Sequence, residues 1–149
     1  MMDRQLTDQE LQGLMARHDE YQAQAEALAG QMEAIQISIL ECERAVSTID
    51  ALESEDEDGA TSLVPIGAGS FVHARLVKSD RAIVSLGASV SAEMSADAAR
   101  GCLSDRKEKL INILGQMDKS LKELAGRVQT IQAEANKQMQ LRQPDQAYM

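Results

Sequence analysis

The chain has 149 residues, of which 26% are charged, with a formal net charge of −9 and only three aromatic side chains, Tyr21, Phe71 and Tyr148. So few rings do not fill the centre of a compact globule of this length, which predicts an elongated architecture, and the acidic surplus argues against nucleic acid, whose phosphates need Lys and Arg gathered on one face. Cys42 and Cys102 are too few for a secreted disulfide framework, no Cys/His cluster supplies zinc ligands, and MMDRQLTDQE carries no apolar leader core. With no run near the roughly 18 apolar residues of a membrane span, the expectation is a soluble, cytoplasmic chain.

The first element expected is a helix over about 8–52. Thr7 followed by Glu10 has the spacing of a capping box, in which each side chain satisfies a free backbone N–H of the first turn. Alternate steps of three and four then reach Leu11, Leu14, His18, Tyr21, Ala25, Leu28, Met32, Ile35, Ile39, Cys42, Val46 and Ile49. An apolar seam with a seven-residue period is the pattern of a coiled coil, because it keeps one stripe turned toward a partner helix.

An acidic linker follows at 53–61, where ESEDED ends in Gly59 and the helix should break. The region 62–94 reads as two β-hairpins built from Ser62–Ile66, Phe71–Val77, Ala82–Leu86 and Ala88–Met94, separated by GAGS, KSDR and a turn at Gly87. Val72, Ala74 and Leu76 alternate with His73 and Arg75, and Ala88, Val90, Ala92 and Met94 with Ser89, Ser91 and Glu93, so each strand has one apolar face. Ser95 and Asp97 can cap a second helix over 96–142, whose seam runs Leu103, Lys107, Leu110, Leu114, Met117, Leu121, Leu124, Val128, Ile131 and Ala135 and fades at Gln138 and Arg142. A flexible tail is expected at 143–149. The two helices have matching lengths and one seam each, and the simplest burial folds them into an antiparallel hairpin. Four short strands without a covering helix leave edges and apolar faces open, which predicts self-association into an oligomeric barrel or sandwich.

No catalytic or cofactor chemistry is expected. IGAGS lacks the third glycine of a dinucleotide loop, since Val72 stands there and a strand follows where a helix is needed. Ser54, Asp56, Asp58 and Gly59 mimic a calcium loop, but Pro65 occupies the position of its bidentate acid. His18 falls on the helical seam and His73 on an outer strand face, and neither has a nucleophile at a useful spacing. Cys42 reads as a small apolar seam residue facing the region of Lys107. At the open end of the helical hairpin, Met1, Met2, Leu6, Met15, Met139, Leu141, Tyr148 and Met149 join Leu11 and Leu14 in an apolar excess beyond the seam. Met-rich surfaces adapt to many shapes, so this end can bind apolar peptide segments; ordinary fraying is the plainer alternative.

LVPIGAGSFVHARL, Leu63 to Leu76, with VSLGASVSAE, Val84 to Glu93, set between two equal heptad arms, resembles the α class of prefoldin subunits, particularly the archaeal ones. The resemblance spans essentially the whole chain, as a single prefoldin-type domain, and two hairpins point to the α class because β-class subunits have one. It implies a mainly α fold in which two β-hairpins join a coiled-coil hairpin, and a hexamer of two α and four β subunits held by paired β-barrels. Val64, Ile66, Phe71, Val72, Leu76, Ile83, Val84, Leu86 and Val90 would then build the barrel and subunit contacts. It also implies an ATP-independent holdase without cofactor, metal or catalysis, which grips non-native clients at the arm tips and passes them to a group II chaperonin. The tip assignment, to Leu6, Leu11, Leu14, Met15, Met139 and Leu141, rests on position alone. Other readings are a structural coiled-coil adaptor and a homo-oligomeric prefoldin-like chaperone. The ESEDED stretch has no counterpart in the pattern that carries the resemblance.

Overall fold

A computed structural model describes residues 4–54, 60–77 and 80–142. The central part of the acidic linker, the KS of the second turn, the terminal methionines, Tyr148 and the tail lie outside the described residues. The element order is α1 (Asp8–Glu53), β1 (Ala60–Gly67), β2 (Ser70–Leu76), β3 (Arg81–Gly87), β4 (Val90–Ser95) and α2 (Ala96–Arg142). Both helices start where the chemistry of their caps dictates. The Glu10 N–H donates to Thr7 Oγ1 at 3.1 Å while the Thr7 N–H donates to Glu10 Oε2 at 2.9 Å, which completes the capping box. At α2, Ser95 Oγ accepts the Ala98 N–H at 3.1 Å.

The chain divides into two compact units, Met1–Gln36 with Asn112–Met149, and Ile37–Ile111. In the first, α1 and α2 run antiparallel, with the Arg127 guanidinium over the Tyr21 ring at 5.5 Å from its centroid. In the second they also run antiparallel: Lys107 Nζ lies 2.9 Å from Glu43 Oε1, and Arg100 Nε lies 2.7 Å from Asp50 Oδ1. Every seam position of α1 from Leu11 to Ile49 is buried or half-buried. The α2 seam is covered from Leu103 onward and, against expectation, does not fade: Gln138 and Arg142 are covered too, for a reason given below.

The strands form two separate antiparallel hairpins, β1–β2 and β3–β4. Each turns through two residues of positive φ, Ala68 and Gly69 in the first and Ala88 and Ser89 in the second, after a glycine that also has positive φ, Gly67 or Gly87. Positive φ at both central positions is what a two-residue hairpin turn needs to match strand twist. Ala88 therefore belongs to the turn, and β4 begins at Val90, two residues later than the alternation alone suggests. The register shifts beside each leading glycine, between Pro65 and Gly67 and between Ser85 and Gly87.

The core of this unit is small. Val84, Ala99 and Leu103 are buried, with Ala45, Val46, Ile49, Ala82, Met94 and Cys102 packed around them. In β3–β4, Val84 pairs with Ala92 and Ala82 with Met94, and these four make the inward face. Cys42 is buried on the α1 seam, as its apolar character dictates, and both cysteines are free. Beside the core, three carboxylates converge on one guanidinium: Arg100 meets Asp50 at 2.7 Å, Asp97 at 2.6 Å, and Glu53. The Asp97 hydrogen bond, followed by the Asp50 hydrogen bond and the charges of Glu53 and Asp50, raises the Arg100 pKa above its ordinary value.

Candidate functional site

Two surfaces stand out once the fold is described. On the β-hairpins, large apolar side chains are left exposed. Val64, Ile66, Phe71, Val72, Leu76, Ile83, Leu86 and Val90 are all exposed in the single chain, Phe71 by 57% and Ile83 by 76%. In the first hairpin Val72, Ala74 and Leu76 share one side of the strand, where Ala74 is half-buried while Val72 and Leu76 are exposed. Val84 differs from its neighbours. Only 5% exposed, it is buried in the chain's own core against Ala99 and Leu103, so it is not on offer to another subunit. The alternation of side chains along β3 turns Val84 in and Ile83 out, and spacing alone could not assign which was which.

At the chain ends, the six apolar residues singled out in the sequence differ in exposure. Leu6, Leu11 and Leu14 are half-buried, while Met15, Met139 and Leu141 are exposed, Met139 by 55%. Met139 and Leu141, two residues apart at about 100° per residue, stand on nearly opposite sides of α2. Leu6 and Leu14 line, with Gly13 and Arg17, one groove of about 590 Å³.

The residues that organise this end are polar ones. Gln138 is 1% exposed, and its amide is fully engaged: Oε1 accepts the Leu6 N–H at 2.9 Å, and Nε2 donates to the Arg4 carbonyl at 3.2 Å and to Glu134 Oε1 at 2.9 Å. Arg142 Nη2 donates to the Leu6 carbonyl at 2.6 Å, and Nη1 pairs with the Asp8 carboxylate. Residues 4–7, outside any helix, are thereby fastened to the end of α2. One signal was present in the sequence: a polar residue on an apolar seam has to find a specific partner. Nearby, the Thr7 N–H, helped by the Arg4 guanidinium at 2.8 Å, holds the Glu10 carboxyl below the usual carboxylate range. Among the described residues no group of three or more His, Cys, Asp or Glu could hold a metal ion, and no helix is long and apolar enough to cross a membrane.

Comparison with known proteins agrees with this architecture. The family profile described as Prefoldin subunit matches residues 21–141. The chain is 44% identical to the prefoldin subunit alpha of Methanosarcina mazei over 87% of its own length and 92% of that protein. It is 47% identical to the Methanosarcina acetivorans subunit over the same shares, and 33% identical to that of Pyrococcus horikoshii over 84% of this chain and 89% of that protein. Among solved structures, it is similar to a chain of the filamentous PFD from Methanocaldococcus jannaschii, with a TM-score of 0.66 and 28% identity over 78% of this chain and 95% of that one. The prefoldin beta subunit from Thermococcus strain KS-1 shares the fold, with a TM-score of 0.58 at 20% identity over 95% of this chain and 100% of that one. Two long helices with two β-hairpins between them, and α-subunit relatives along most of the length, place the chain in the prefoldin family, as a chaperone subunit of its α class.

Proposed function

We propose that this chain works in the cytoplasm as the α subunit of a hexamer with four β-class subunits and a second copy of itself, holding non-native proteins without ATP and passing them to a group II chaperonin. The observation that carries the reading is the exposed apolar surface of the hairpins. A single chain that leaves Ile66, Phe71, Ile83 and Val90 in water gains when another subunit covers them, since burying a large apolar side chain contributes about 1.5–3 kcal/mol. Val64, Val72, Leu76 and Leu86 extend that exposed surface, while Val84 packs the hairpin onto the helices. Clients are held at the chain ends, where Leu11, Leu14, Met15, Met139 and Leu141 offer shallow apolar contacts beside the groove that Leu6 enters. Each such contact is weak, and several arms together lengthen the residence of an unfolded chain. Transfer then follows from relative affinities alone, and no step calls for catalysis.

The test is native mass, alone and after mixing with a β-class prefoldin subunit, followed by light scattering from an aggregating, chemically unfolded client. The expected result is a heterohexamer that suppresses scattering with no nucleotide present. A closed oligomer of this chain alone would favour the homo-oligomeric reading, and assembly without suppression would favour an adaptor.

A further inference from the structure

The contacts that α2 makes with residues 4–7 go to their main chain. The Gln138 amide takes one N–H and one carbonyl from main-chain positions two apart, Leu6 and Arg4, and Arg142 takes the Leu6 carbonyl. Of the captured residues, only Leu6 adds an apolar side chain, half-buried against the groove shared with Leu14. Reading main chain through a side-chain amide is how a site grips extended peptides of unrelated sequence, with one pocket for a side chain. We infer that Gln138 and Arg142 form a clamp for the main chain of extended, apolar client segments, and that residues 4–7 are a built-in stand-in which occupies it until a client displaces them.

Two further features fit. Gln138 is buried with the Leu6 N–H and the Arg4 carbonyl on its amide, and any peptide backbone supplies the same donor and acceptor, so a client's main chain can take their place without leaving that amide unpaired. Among the described residues Arg142 Nε is buried with no acceptor, so the clamp retains a donor that residues 4–7 leave unmet and a longer segment's carbonyl can reach. Electrostatics also loosen the closed form at high salt, because the Arg142–Asp8 pair and the Arg4–Glu10 pair at 2.8 Å stand partly in solvent. The clamp rests on the reading of the chain ends as the client-binding region, and it adds to that reading a chemistry and a competitor.

The experiment measures binding of a permanently unfolded, fluorescently labelled client to the assembled hexamer. It compares the intact chain, a chain lacking residues 1–6 that keeps the Thr7 cap, and that shortened chain with Gln138→Leu, each checked for native mass and helix content. If residues 4–7 occupy the clamp about nine-tenths of the time, shortening raises affinity about tenfold. Gln138→Leu, which keeps the seam apolar, should remove that gain. A synthetic peptide of residues 1–10 should compete with the client on the shortened chain and not on its Gln138→Leu form. Unchanged or weaker binding after shortening, or a gain that survives Gln138→Leu, overturns the clamp while leaving client binding at the chain ends intact. Absence of binding by both the intact and the shortened assemblies overturns that wider reading and the clamp with it.

Discussion

Ile83 and Val84 are adjacent, similar in size and opposite in consequence. Val84 packs against Ala99 and Leu103, and Ile83 pairs with Glu93 on the outer face of the second hairpin. Val84→Asp should unfold the packing of hairpin on helix in the isolated chain, since a buried charge has no partner there, and Leu103→Ala should cost about 2–5 kcal/mol by thermal unfolding. Ile83→Ser should leave that unfolding within about 0.5 kcal/mol and shift native mass toward free subunits when β-class partner is added; a stable Val84→Asp chain would show that this face is misassigned. A second residue-scale effect concerns pH. The folded Glu10 carboxyl is held below its ordinary value, mainly by the Thr7 N–H, so its contribution to the start of α1 is complete above the unfolded carboxylate pKa and is lost as pH falls through the lowered folded one. The Thr7 amide resonance should therefore titrate on the acid side of an ordinary glutamate, and Glu10→Gln should abolish that titration while leaving the helix folded at neutral pH.

Helices and strands were legible in the sequence to different depths. Both seams, both caps and the bounds of the helices follow from local chemistry: side chains three and four apart share a face, and an oxygen at Thr7 or Ser95 satisfies donors one turn away. The two hairpins and their glycines were legible for the same reason. The start of β4 was not, because Ala88 and Ser89 adopt positive φ, a conformation their side chains disfavour and which their composition does not announce. Strained turns of this kind are open to improvement. Ser89→Gly should stabilise the second hairpin by up to about 1 kcal/mol, read as a rise in the unfolding midpoint with no change of register; destabilisation would mean that the Ser89 side chain holds the turn by a contact worth more than the strain.

At the scale of the molecule, the hairpins and the chain ends belong to different compact units, so under the proposed function assembly and client handling can be tested apart. Removing residues 1–10 and 138–149 should leave the subunit composition of the hexamer unchanged by native mass while abolishing suppression of aggregation. Full suppression by the truncated assembly would move the client site away from the chain ends. Removing only residues 1–6 should do the opposite of truncation and strengthen binding, because it vacates the clamp and keeps Gln138 and Arg142.

The sequence by itself determined the elements of this protein, their order, their caps and the stripe each helix buries, since all of these are set by residues within a turn or two of one another. The hairpin motif between equal arms was specific enough to indicate the family. Tertiary structure alone decided which side of the second hairpin faces the helices, turning Val84 in and Ile83 out, because period-two alternation is symmetric until one face meets a partner. It also decided that Gln138 and Arg142 continue the seam instead of ending it. Their partners, Arg4, Leu6 and Asp8, lie more than 130 positions away along the chain, and hydrogen bonds across that separation exist only once folding has brought the two ends together.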